Sequence, residues 1–259
     1  MATNNLIKFR ESASEISLTV PKPSLRYLDE FVTLKCAPDL LAAKIFPDAK
    51  EITESMAAFN AYRRHLMGRI DINNPRVLVI AVGDGIHPRT SSLFAMRTKF
   101  TCISVDPALK IQGESVPLIK RELINPKWDY SRSTRRVMML NAKVSELSKH
   151  IQIFAINLYY RNNPLLSILA KFSLEGALLS LGPINQVLWV GVHSHAPWED
   201  VLNCIKTIDP KIEHYIISIP CCYPDKLDTK VNLLQSYIDM GIHSEMRIVN
   251  VYEVKNEKK

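Results

Sequence analysis

The chain has 259 residues, 47% hydrophobic and 23% charged. That excludes disorder, collagen and coiled coil, and it is enough to bury the core of one α/β domain with a small extension. The longest apolar runs, Val77–Val82 and Val187–Val192, fall far short of the ~18 residues of a membrane span. Five cysteines, scattered except for Cys221 and Cys222, do not make a disulfide framework. The first residues lack the basic-then-apolar layout of a signal peptide, so a reducing, cytoplasmic setting with no membrane is expected. A net charge of +7 suits a polyanionic partner such as RNA, because each neutralised phosphate releases counterions.

Residues 1–71 read as a helical N-terminal extension or cap, which would also offer a surface to a protein partner. Short apolar-periodic helices are expected over Ser24–Leu34 and Pro38–Phe46. A longer one is expected over Glu51–Ile70, where Ile52, Met56, Phe59, Tyr62, Leu66 and Ile70 recur every three or four residues. Its other face carries Arg63, Arg64, His65 and Arg69, a pattern that ordinarily marks a solvated face.

From residue 72 to 259 the pattern changes to strands alternating with helices. Strands are predicted at Arg76–Val82, Phe100–Val105, Arg136–Leu140, Gln186–Val192, Tyr215–Ile219 and Met246–Val254. Helices are predicted at Ser91–Arg97, Pro164–Leu179, Trp198–Thr207 and Lys230–Met240. Residues 151–160 fit either type. Runs such as Val77–Val82 are apolar on both faces, as in parallel strands covered by helices on both sides. The expected fold is therefore α/β, a doubly wound, mostly parallel, Rossmann-like sheet with a helical N-terminal extension.

Three places could carry chemistry. The first is the turn Gly83-Asp84-Gly85 after the opening strand. The chain has only eight glycines, and two fall here, where glycine lets backbone approach a ligand closely. Asp106 ends the next strand about 20 residues on, the placement of an acid that binds ribose hydroxyls. A dinucleotide site needs a third glycine where Pro88 stands, which disfavours a nicotinamide enzyme.

The second place is His193-Ser194-His195 at the end of a strong strand. It suits acid/base or substrate hydrogen-bonding work, and equally a structural cap; no third ligand at metal spacing accompanies the two histidines. The third is Pro220-Cys221-Cys222-Tyr223, a rigid strand-end turn. It offers a nucleophile, a substrate-positioning turn or simple burial. Asn141 is either a polar contact or a strand-end cap. Arg132, Arg135 and Arg136 form the densest basic cluster before the tail and are candidate nucleic-acid contacts.

The single Gly-x-Gly followed by an acid at the end of the second strand resembles class I S-adenosylmethionine-dependent methyltransferases. Val190-Gly191-Val192-His193 and Pro220-Cys221-Cys222-Tyr223, taken in order, are similar to a Pro-Cys-Cys-containing branch of that family. That branch includes the glutathione S-transferase C-terminal-domain-containing protein and relatives of tRNA methyltransferases. The resemblance spans roughly residues 76–224. It implies a methyltransferase-type sheet, S-adenosylmethionine as cofactor and, more remotely, RNA as acceptor. Gly83, Asp84, Gly85, Asp106 and Asn141 would then hold the cofactor. His193, Cys221, Cys222 and Tyr223 would line the acceptor side. Val79 and Ala81 stand where the family carries an acid and a glycine. That difference leaves a second reading: a catalytically inactive methyltransferase-like module that binds RNA or a protein.

Overall fold

The computed structural model describes residues 6–11, 14–19, 23–109, 137–140, 143–145, 147, 184–206, 208, 210–221, 227 and 231–255. Strands β1 (Leu6–Glu11) and β2 (Ser14–Thr19) form an antiparallel hairpin in register Leu6 to Thr19, in a stretch the sequence reading took as helical or irregular. Helices α1 (Arg26–Val32), α2 (Ala37–Ala42) and α3 (Ala49–Ala61) follow, and α3 runs on into a π-helical turn, Tyr62–Leu66. The remaining order is β3 (Val77–Val82), α4 (Arg89–Arg97), β4 (Thr101–Val105), β5 (Val137–Leu140), β6 (Gln186–Val192), α5 (Trp198–Lys206), β7 (Glu213–Ile219), β8 (Val231–Ile238) and β9 (Ile248–Val254).

Seven strands make one sheet in the order β5-β4-β3-β6-β7-β9-β8. Strands β5, β4, β3, β6 and β7 are mutually parallel, and β9 is antiparallel to both of its neighbours. This is the expected doubly wound, mostly parallel Rossmann-like sheet. Alternation along β3 shows why both its faces are apolar. Val77 and Val79 face one cluster, shared with α1, α3, α4 and the π turn. Leu78, Ile80 and Val82 face the other, under α5, Val144 and Leu147. Each fully buried aliphatic side chain of this kind contributes about 1.5–3 kcal/mol.

The N-terminal helices are therefore built into the fold as the cover of one sheet face. Asp48 caps α3 by accepting the Glu51 N–H at 3.0 Å. Thr53 to Ala61 are buried without interruption, so beyond its first turn the helix has no solvent side. Phe59 and Tyr62 meet Phe94 and Phe100 at ring-centroid distances of 5.2–5.9 Å, two of the contacts edge-to-face.

The segment expected as a helix over Lys230–Met240 is instead the edge strand β8. Its apolar residues misled because of a bulge. The register passes from Leu233–Tyr252 to Gln235–Val251, leaving Leu234 unpaired. The half-buried positions thus become Val231, Leu234 and Tyr237, a spacing of three that imitates one face of a helix. The predicted helix Pro164–Leu179 and residues 151–160 lie outside the described residues. No helix among the described residues is long and apolar enough to cross a membrane.

Candidate functional site

Because β4, β3, β6 and β7 run parallel and side by side, Asp106, Gly83, His193 and Cys221 all sit at their carboxyl edge. The chain passes from β3 to β4 on one side and reaches β6 on the other. The β3–β6 boundary is thus the switch point at which open α/β sheets bind ligands.

Gly83 (φ +68°) and Gly85 (φ +79°) are left-handed, a conformation that L side chains rarely adopt. The Gly83 N–H donates to the Val105 carbonyl at 2.8 Å, tying the turn to the end of β4. The Gly85 N–H donates to Asp106 Oδ2 at 2.9 Å, and the Ala108 N–H to Oδ1 at 2.6 Å. Each of these oxygens keeps a second lone pair, so the carboxylate still has capacity for two hydroxyls.

Asp84 has a different job from the one expected of it. Its carboxylate is buried and accepts the Thr90 N–H (2.9 Å), the Ser91 N–H (3.2 Å), the Ser91 hydroxyl (2.9 Å) and the Ser104 hydroxyl (3.0 Å). It turns inward and caps α4, so it reaches a ligand only through its backbone. The N–H groups at the start of a helix like α4 are where a dinucleotide's pyrophosphate binds in related folds. Here an internal carboxylate already fills that place. This is a second, structural reason against a nicotinamide dinucleotide.

His193 ends β6 in a left-handed conformation (φ +49°), uncommon for a non-glycine residue. The backbone turns there, and His195, two residues on, is exposed. The His193 N–H donates to the Ile219 carbonyl at 2.8 Å. Its Nε2 lies 3.0 Å from Ser244 Oγ, which is itself 3.0 Å from the Met246 carbonyl. With the Ser244 proton given to Met246, Ser244 accepts Nε2–H of a neutral ring. Burial, with the Lys50 and Arg89 charges and then His195 adding to it, pushes His193 down to about 4.

The residue that the sequence reading missed is Glu54. The first turns of α3 bring it to this rim, with Oε1 3.5 Å from His193 Nε2 and 3.7 Å from Lys50 Nζ. Oε1 is buried and has no hydrogen-bond partner. Burial first, then the neighbouring Glu51 charge, pushes Glu54 up to about 7; Lys50, Ser244 and Arg89 pull the other way and lose. Since His193 is neutral, the two do not form an ion pair despite their proximity. The sequence signal was present. Thr53-Glu54-Ser55-Met56-Ala57-Ala58 is rich in small residues, a sign of a helix packed closely on every side, and an acid inside such a run is a buried acid.

Arg89, at the start of α4, pairs with Glu51 of α3, and both are largely buried. Its guanidinium lies over the glycine turn: a Cβ built on Gly85 would come within 2.7 Å of Nη2. Over Gly83 the equivalent place is taken by the Ser194 side chain. Cys221 lies at the rim and is partly exposed. Cys222, Tyr223, Asn141, Arg132, Arg135 and Arg136 lie outside the described residues. Among the described residues no group of three or more His, Cys, Asp or Glu side chains is placed to hold a metal ion.

Buried titratable groups make stability depend on pH. His214 accepts the Trp189 indole N–H at Nδ1 (3.2 Å) and, like His193, is pushed down by burial to about 4. A depressed base resists protonation in the fold while the unfolded chain takes its proton. Each histidine's contribution is therefore complete above about pH 6.5 and is lost as pH falls to about 4. Glu54 has the opposite sign, its penalty being relieved as pH falls from about 7 to 4.5. Two histidines outweigh one glutamate, so urea unfolding should show about 2 kcal/mol less stability at pH 4.5 than at pH 7, and His193→Asn should flatten that slope. A stability unaffected by pH across this window would mean that the two rings are solvated.

No protein-family profile matches this sequence, and no curated protein matches it. Solved structures that resemble the chain include a mutant of MtNAS (TM-score 0.40, 10% identity, 88% of this chain and 73% of that one). Another is MtNAS in complex with MTA and tNA (TM-score 0.41, 10% identity, 88% and 74%). A third is a mutant of MtNAS in complex with S-adenosylmethionine (TM-score 0.39, 11% identity, 88% and 76%). Likeness at these values concerns general layout and assigns no chemistry to the site. The class stated by the fold itself is a Rossmann-like α/β protein with its candidate site at the β3–β6 switch point.

Proposed function

We propose that the chain binds S-adenosylmethionine at this rim and catalyses transfer of its methyl group to a nucleophile. The observation that carries the proposal is the meeting, at one switch point, of a left-handed glycine turn tied to Asp106 with a buried carboxyl group that titrates near neutrality. S-adenosylmethionine supplies an electrophilic carbon on a sulfonium and carries no phosphate. That agrees with a helix N-terminus already filled by Asp84. The residues present fit such a cofactor once Arg89 leaves Gly85: the glycine then allows close backbone approach, and Asp106 has lone pairs left for the ribose hydroxyls.

On this reading Glu54 holds the proton that the acceptor gives up, and a carboxyl with a pKa near 7 is suited to taking it. His193, neutral and oriented by Ser244, offers a fixed hydrogen-bonding ring beside it. Cys221, with Cys222 and Tyr223, belongs to the acceptor side by resemblance to the Pro-Cys-Cys branch. For the acceptor we infer RNA, on the net charge of +7 and the arginines at 132, 135 and 136. The described arginines 26, 63, 69 and 89 are each paired with a carboxylate and add little free charge to such a surface.

The test is calorimetric titration with S-adenosylmethionine and, separately, with NAD; binding of the first alone is expected. Asp106→Asn keeps an oxygen for the turn but gives up the charge. The charge-assisted bonds it weakens are worth ~1.5–3 kcal/mol each, so affinity should fall ~10–150-fold. An unchanged affinity in a folded Asp106→Asn protein would sink the assignment. Binding of neither cofactor, with RNA or a protein still bound, favours the inactive-module reading. That reading has its own support: Val79 and Ala81 are fully buried in β3, and Ser194 and Arg89 occupy the space over both glycines.

A further inference from the structure

We propose that Arg89 is the anchor for the carboxylate of an amino-acid-bearing ligand, and that Glu51 holds that anchor closed over Gly85 until the ligand arrives. The inference rests on the cofactor reading above and goes further, naming the chemical end of the ligand and the residue pair that selects it.

The geometry carries three observations. Arg89 is the first residue of α4, one turn beyond Gly85, and its Nη2 occupies the space against the Gly85 α-carbon. Backbone opened by glycine at φ +79° is useful to a ligand only if that space can be vacated. The guanidinium is held there by a single carboxylate, Glu51, with side-chain exposures of 18% and 20%. Such a pair has lost much of its hydration, so its attraction is largely offset by desolvation. A second carboxylate can take over the guanidinium if Glu51, in the first turn of α3, turns out to water, because Arg89 then exchanges one carboxylate for another.

The chemistry also sets the charge of the ligand. Asp84 lies buried beneath the turn and already answers the α4 N-terminus, so the cation over Gly85 that meets an incoming anion is Arg89, Lys50 standing beside Glu54 instead. One guanidinium balances a monoanion such as an α-carboxylate. A phosphate dianion would be left partly unbalanced above a buried carboxylate. Glu51 sits in the first turn of α3, while Glu54, one turn further on, stays with His193. Exchange at Arg89 leaves Glu54 beside His193 but changes the Glu51 and Arg89 charges that act on it.

The arrangement is a competition, and competition is measurable. Holding the anchor closed lowers apparent affinity by the fraction of molecules in which Arg89 is free. The experiment is calorimetric titration of the full chain with two probes. S-adenosylhomocysteine has the amino-acid end, and 5′-deoxy-5′-methylthioadenosine lacks it. Glu51→Gln should bind S-adenosylhomocysteine about 10-fold more tightly than the unaltered protein, with methylthioadenosine affinity unchanged within about 2-fold. Arg89→Met should weaken S-adenosylhomocysteine about 10- to 100-fold and leave methylthioadenosine unchanged or tighter.

Equal loss of both probes in Arg89→Met would show a merely structural arginine and overturn the proposal. So would unaltered S-adenosylhomocysteine affinity in both variants. Thermal melts of each variant confirm that it is folded. If the unaltered protein binds neither probe, the cofactor reading falls and this inference with it. If it binds both probes equally well and Arg89→Met changes neither affinity, only the anchor is overturned.

Discussion

Glu54→Gln is expected to lower the rate of transfer about 10²- to 10⁴-fold, the usual worth of a positioned acid/base group, while leaving S-adenosylmethionine affinity within about 2-fold. The substitution is close to isosteric, so α3 keeps its seat, but an amide cannot take a proton. In the unaltered protein the rate should rise as pH passes through about 7, where burial has placed this carboxyl. In the variant that rise should vanish. Stability should move the other way. A folded-state pKa raised from 4.5 to about 7 means that ionising Glu54 costs stability as pH rises through that interval, up to about 3 kcal/mol. Glu54→Gln should therefore be the more stable protein at pH 8 and lose this advantage below about pH 4.5. Such an exchange of stability for activity is what a functional buried charge produces. A full transfer rate with an unaltered pH profile in Glu54→Gln would remove Glu54 from the chemistry.

Asp84→Ala should be the most destabilising single change at the rim. It removes the acceptor for two backbone N–H groups of α4 and for the hydroxyls of Ser91 and Ser104. Losing a helix cap costs about 0.5–2 kcal/mol, and each donor left buried and unpaired adds about 1–3 kcal/mol. Ser91 keeps a contact with the Pro88 carbonyl, whereas the Ser104 hydroxyl sits on β4 in the core. A loss of about 3 kcal/mol or more is expected in denaturant unfolding, with Asp84→Asn roughly half as damaging because it keeps one oxygen. A change below about 0.5 kcal/mol would show that solvent reaches the α4 N-terminus and would reopen it to an anionic ligand.

The sheet was legible in the sequence wherever a strand is buried on both faces. Val77–Val82 and Val187–Val192 announce themselves as unbroken apolar runs, and the observed strands match them to within a residue. The signal failed where pairing, and not burial, makes the strand. β8 is half exposed, and its bulge gives it a helix-like spacing. The β1–β2 hairpin has mixed polarity over six-residue strands. At the site, glycines and a strand-end acid are visible because their spacing is local. Glu54 is legible as a buried acid from the small residues around it, but not as part of the site, since nothing within α3 records that His193 and Ser244, well over a hundred residues away, close over it. Asp84 was visible as a residue, but only the positions of Ser104 and α4 show that it turns inward.

The covering of one sheet face by the N-terminal helices has a consequence for how the molecule comes into being. On the ribosome, α1 to α3 emerge well before the strands they cover, β6, β7 and β9. Until the β8–β9 hairpin is synthesised and Ser244 arrives beside His193, the face of α3 that the fold buries has no complete partner, and Glu54 is exposed to water as an ordinary carboxylate. Contacts of such long sequence separation form slowly, and the surface they leave bare is prone to association while it waits. This rim is thus completed last, so a partly folded chain carries the glycine turn before Glu54 is buried beside His193.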